Sequence, residues 1–101
     1  MNKLVRDKII DIKQKEGEKP EFTVLNDQEY LQALKQKLVE ESNEVLTSAT
    51  DEELMNELAD LQEVMDCLLR QAKISKTQLK LAQVKKNDAK GSFKKRIFLK
   101  K

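Results

Sequence analysis

Apolar residues recur at helical spacing in four places along the chain. Val5, Ile9 and Ile12 fall at i, i+4 and i+7, which predicts a helix over 2–16 with Gly17 as its stop. Leu31, Leu34, Leu38 and Val45 gather within about 60° of arc at about 100° per residue, predicting a second helix over 27–47. Leu54, Leu58, Leu61, Val64, Met65 and Leu68 form the apolar arc of a third, over 51–73. Leu79, Ala82, Lys86 and Ala89 mark a weaker stripe over 76–90, ended by Gly91. Asn26-Asp27-Gln28-Glu29, Thr50-Asp51-Glu52-Glu53 and Ser75-Lys76-Thr77-Gln78 each place a capping side chain three residues before a carboxylate or amide that can reach back, so they read as helix starts. Phe22 and Val24, and later Ile97 and Leu99, alternate with their neighbours and leave room for two short edge strands. The expected fold is a single all-α domain over 1–101, an antiparallel bundle of about four helices.

The acids interrupt this pattern. Glu41 falls within about 20° of Leu34, on the stripe the second helix should bury, and Glu44 lies at the stripe's edge. Glu57 falls inside the apolar arc of the third helix, and Asp60 about 40° outside it. Glu40 points the other way and, with Glu52, Glu53 and Asp66, reads as an ordinary solvated face. The short connection from Ser48 to Thr50 makes the two helices antiparallel neighbours, which brings Glu41 and Glu44 beside Glu57 and Asp60. Buried ionised carboxylates are costly unless paired or metal-bound, and a hard divalent cation such as Mg²⁺ relieves four of them at once.

Composition narrows the chemistry. Charged residues make up 38% of the chain and the mean hydropathy is −0.69, close to disordered composition, but regular leucine spacing argues for folded helices. The net charge is only +2, which implies no bulk polyanion-binding surface. Lys94, Lys95, Arg96, Lys100 and Lys101 form a local basic tail; with few aromatics, it disfavours nucleic acid as the partner. Histidine is absent, removing the usual zinc ligand and general base. Cys67 is the one cysteine, lies off the apolar arc, and reads as a bystander thiol. An unpaired cysteine, with no signal-like N-terminus and no stretch of membrane-spanning length, is the pattern expected of a cytoplasmic protein.

Glu41-x-x-Glu44, twelve residues, then Glu57-x-x-Asp60 resembles the paired acidic motif of the all-α nucleoside triphosphate pyrophosphatases. That superfamily includes MazG, dimeric dUTPases and phosphoribosyl-ATP pyrophosphohydrolase. The opening Lys3-Leu4-Val5-Arg6-Asp7-Lys8-Ile9 and the closing Lys86-Asn87-Asp88-Ala89-Lys90-Gly91-Ser92-Phe93 resemble the flanks of a short MazG-like subgroup, so the likeness covers nearly the whole chain. The resemblance implies that Glu41, Glu44, Glu57 and Asp60 ligate Mg²⁺ (Mn²⁺ as an alternative) and form the catalytic set. It implies that Lys86 and Lys90 bind phosphate. Arg6 is a further candidate on other grounds: it stands against the dipole at the start of the first helix, which suits either an anionic ligand or a surface pairing with Asp7. The resemblance also implies hydrolysis of a nucleoside triphosphate between the α and β phosphates, serving to clear non-standard nucleotides, by a dimer or tetramer. Two departures stand out: Lys90 where arginine is common, which exchanges a bidentate fork for a point charge, and Ser92 in place of a second glycine. Phosphoribosyl-ATP hydrolysis and a non-catalytic helical interaction module are the alternatives.

Overall fold

The computed structural model describes residues 2–100 and consists of four helices: α1 (Ile9–Lys15), α2 (Asp27–Thr47), α3 (Asp51–Ala72) and α4 (Lys76–Lys90). The three capping signals open the three long helices. The Asn26 side chain accepts from the Glu29 amide while the Glu29 carboxylate accepts from the Asn26 amide, and Ser75 and Gln78 make the same reciprocal pair. Thr50 caps the Glu53 amide at 3.1 Å, but the Glu53 carboxylate passes over Thr50 to accept from the Ala49 amide at 2.8 Å. It thereby holds the tight turn between α2 and α3 as well as the helix end. Lys73, in the left-handed region, ends α3, and Gly91, with φ +82°, ends α4.

Two expectations are corrected. The first helix is half the expected length: residues 3–6 are irregular and helix begins only at Ile9. Lys3, Arg6 and Lys8 place positive charge where the helix dipole is already positive, and Arg6 finds a carboxylate on α3 instead. The two edge strands do not form among the described residues. Residues 22–25 and 97–100 alternate in polarity, but no second strand lies beside either, and an unpaired strand has no ladder to stabilise it. Lys101, counted in the basic tail, lies outside the described residues.

The extensive packing is between α2 and α3, an antiparallel hairpin. Its interior is small: Leu34 and Val64 are the buried apolar residues, and α4 buries none. The radius of gyration is 17.4 Å, against about 13 Å for a compact domain of this length. Among the described residues no helix is long and apolar enough to cross a membrane.

Candidate metal centre

The hairpin turn sets the register of the acids. Glu44 stands one turn before the end of α2 and Glu57 nearly two turns into α3, so both motifs lie within about three turns of Ser48-Ala49-Thr50. At the far end of the hairpin Gln71 Nε2 donates to the Asp27 carbonyl at 3.3 Å, which fixes the same register from the other side. The outcome is the one the helical phase predicts: Glu41, Glu44, Glu57 and Asp60 each offer a carboxylate oxygen, and these oxygens lie within 4.8 Å of one another.

The four differ in environment. Glu41 is 5% exposed, Glu57 and Asp60 are half-buried, and Glu44 is exposed. Arg6 reaches across from the N-terminal segment and donates to Asp60 Oδ1 at 2.6 Å. That contact holds the Arg6 guanidinium more firmly charged than usual, through the hydrogen bond first and the Asp60 charge after it. Lys37, one turn before Glu41, stands 3.4 Å from Glu41 Oε1 and 3.3 Å from Glu40 Oε1. Two cations thus face four carboxylates. Hydrogen bonding to Glu57, then to Glu41, with repulsion from the Glu41 charge, pushes the Glu44 carboxyl up to about 7.

Two oxygens are left over. Glu41 Oε2 and Glu57 Oε2 are buried and have no hydrogen-bond partner. A buried carboxylate oxygen without a donor costs about 1–3 kcal/mol or more, and two of them face one cluster across the hairpin. An all-oxygen donor set without nitrogen or sulfur fits a hard divalent cation. Such an ion would satisfy both orphaned oxygens and cancel the repulsion that raises Glu44.

Beside the acids a cleft of about 600 Å³ opens between the N-terminal segment and the hairpin. Arg6, Lys37, Glu41 and Asp60 line it near the cluster, and Tyr30, Cys67 and Arg70 line it further along. Lys37 and Tyr30 were legible as a stripe, since Tyr30, Leu34, Lys37 and Glu41 follow at i, i+4, i+7 and i+11. Cys67, read from the sequence as a bystander thiol, is half-buried, lines the cleft and accepts from Arg70 at 3.3 Å. Lys86 and Lys90 are not brought to the acids within the chain: both are exposed on α4 and neither lines the cleft. A shallower hollow of about 270 Å³ among Ser92, Phe93, Lys95 and Arg96 contains no acid and offers a cation no ligand.

No family model, no curated protein and no solved structure matches this chain.

Proposed function

We propose that this protein is a Mg²⁺-dependent nucleoside triphosphate pyrophosphohydrolase. The observation that carries the reading is the pair of buried, partnerless oxygens, Glu41 Oε2 and Glu57 Oε2, inside a quartet of carboxylates built across one hairpin. Glu41, Glu44, Glu57 and Asp60 would hold the ion. When bound, Mg²⁺ supplies charge neutralisation and polarisation of phosphoryl oxygens. Water adds to the α phosphorus, the bond from that phosphorus to the α–β bridging oxygen breaks, and the products are a nucleoside monophosphate and pyrophosphate. A carboxylate of the quartet takes the water's proton. Arg6 and Lys37 already stand at the acids, and their charge is placed to meet a phosphate chain. The sequence resemblance supports the same bond and a role in removing non-standard nucleotides. Manganese fits the same oxygens.

The proposed assembly is a homo-oligomer. Val39, Leu46, Met55 and Leu58 are exposed on the hairpin and Leu79, Leu81 and Val84 on α4. The accessible surface is 9603 Å², against about 5,900 Å² for a compact monomer of this mass. The excess on one chain is more than the roughly 1,000–2,500 Å² that an obligate interface takes from each subunit, so there is room for a partner to cover it. In this reading Lys86 and Lys90 reach phosphate from a second copy. The compartment proposed is the cytoplasm, where Cys67 stays reduced.

A second reading is favoured by the contacts of Arg6 and Lys37, since two of the four acids already have cationic partners. A non-catalytic interaction module would use them as plain ion pairs. One experiment separates the two: pyrophosphate release measured over standard and modified nucleoside triphosphates and phosphoribosyl-ATP, with and without Mg²⁺. The enzyme reading expects metal-dependent release that Glu57→Gln abolishes while helix content stays unchanged. The same variant raises the stability of metal-free protein, because it removes one repelling charge. Glu40→Gln, outside the quartet and touching it only through the shared Lys37 ammonium, retains much more activity than Glu41→Gln. Full activity in Glu57→Gln, or no response to Mg²⁺ by release or thermal shift, overturns the enzyme reading.

A further inference from the structure

We infer that the cleft beside the acids is a nucleobase site and that Tyr30 is the residue on which the base stacks. The inference rests on the reading of the acids as the phosphate end in one respect only, the direction in which the ligand lies.

The cleft is polarised along its length. Tyr30 and Glu41 lie on one stripe of α2, eleven residues apart, a rise of about 16 Å. Because α3 runs antiparallel, Asp60 stands at the Glu41 end and Cys67 and Arg70 lie toward the Tyr30 end, a register held by the bond from Gln71 to Asp27. Leu34 and Val64, the buried apolar pair, lie between the two ends. One end therefore collects carboxylates and two cations. The other offers an aromatic ring and a guanidinium over an apolar floor, with the Asp7 charge felt at the ring and Glu63 beside Arg70. The molecule this fits is charged at one end and planar, polarisable and hydrogen-bonding at the other, which is a nucleotide with its base toward Tyr30.

Tyr30 is singled out among the four aromatic residues. Phe22, Phe93 and Phe98 are 62%, 98% and 89% exposed and none lines the cleft, whereas Tyr30 is half-buried in its wall. Burial first, and then the neighbouring Cys67 thiol, push its phenol up. Arg70 makes both of its contacts, 3.3 Å to Cys67 Sγ and 3.7 Å to Glu63 Oε2, through Nη2 and keeps its other donors for a base carbonyl.

The chain supplies its own reporters. It has one tyrosine, no tryptophan and one cysteine, so tyrosine emission reports on Tyr30 and alkylation on Cys67. The probes are α,β-methylene nucleoside triphosphates with Mg²⁺, compared with inorganic tripolyphosphate, with emission corrected for absorption by the base. The nucleotides are expected to quench the emission and to slow Cys67 alkylation several-fold, and tripolyphosphate to do neither. In steady-state kinetics Tyr30→Phe keeps the ring and leaves KM within about twofold, while Tyr30→Leu raises KM about tenfold with a smaller change in kcat. If emission and alkylation ignore the nucleotides while Mg²⁺-dependent pyrophosphate release proceeds, the base lies elsewhere and this inference falls alone. If the nucleotides quench and protect but no Mg²⁺-dependent release occurs, the base site stands and the hydrolase reading falls.

Discussion

Glu44 is the most exposed of the four acids, yet its carboxyl is the one pushed up to about 7, because Glu57 and Glu41 share its proton and Glu41 repels its charge. An unfolded glutamate titrates at about 4.3. Between that value and about 7 the folded chain binds more protons than the unfolded chain, so the stability this group contributes is present at low pH and is lost as pH rises through the window. Arg6, whose guanidinium the Asp60 contact holds charged, does not cancel the slope. Metal-free protein should therefore lose thermal stability between about pH 5 and about pH 8, and Glu44→Gln should lose less over the same interval. Mg²⁺ competes with the shared proton, so its stabilising effect should be larger at the upper pH than at the lower. Thermal melts of both proteins at the two pH values, with and without Mg²⁺, check this. An equal slope in Glu44→Gln would mean that the proton is held elsewhere.

The long helices were legible almost to the residue, because a capping side chain acts locally: Asn26, Thr50 and Ser75 each satisfy an amide three positions on, whatever the rest of the chain does. The acids were legible for a related reason, since α2 and α3 are long, uninterrupted and joined by a short turn, so helical phase alone carries Glu41 toward Glu57. What sequence could not supply was tertiary. The fate of residues 3–8 depends on a carboxylate fifty-four positions away, and the orphaned oxygens appear only once both helices are placed. The place of Cys67 in the cleft wall was hidden because its neighbours across the cleft are Tyr30 and the N-terminal segment, which no periodicity on α3 reveals. The turn itself is where element and site meet. Removing the Thr50 hydroxyl leaves the Glu53 amide uncapped, and Thr50→Ala should cost about 1 kcal/mol in urea unfolding. Since the same turn holds Glu41 against Glu57, Mg²⁺ affinity should fall with it. Lowered stability with unchanged Mg²⁺ affinity would show that the far end of the hairpin, at Gln71 and Asp27, sets the register alone.

At the scale of the molecule the chain is an all-α bundle of four helices whose extensive packing is the α2–α3 hairpin. Its buried apolar residues are Leu34 and Val64, and its radius of gyration is 17.4 Å. Among the described residues the rest of the apolar stripe of α2 and α3 is half-buried or exposed, which leaves the conformational entropy of the chain incompletely offset. A second copy laid against the exposed apolar residues of α2, α3 and α4 would supply the missing contacts. Leu58 is the residue at which this matters most. It is 46% exposed, directly follows Glu57 and belongs to the same apolar arc as Leu54 and Leu61. If a second copy covers that arc, Leu58→Asp places a charge in the interface, at a cost of several kcal/mol. The variant should sediment as a smaller species, lose helix content on dilution, and release pyrophosphate more slowly in proportion to the dissociated fraction. If the chain acted alone, Leu58→Asp would replace a half-exposed side chain with a soluble one and change stability by about 0.5 kcal/mol at most. Sedimentation velocity over a concentration series, with circular dichroism at each concentration, distinguishes the two. A wild-type chain that stays monomeric and fully helical at the lowest concentration would place the missing core inside the single chain and withdraw the second copy.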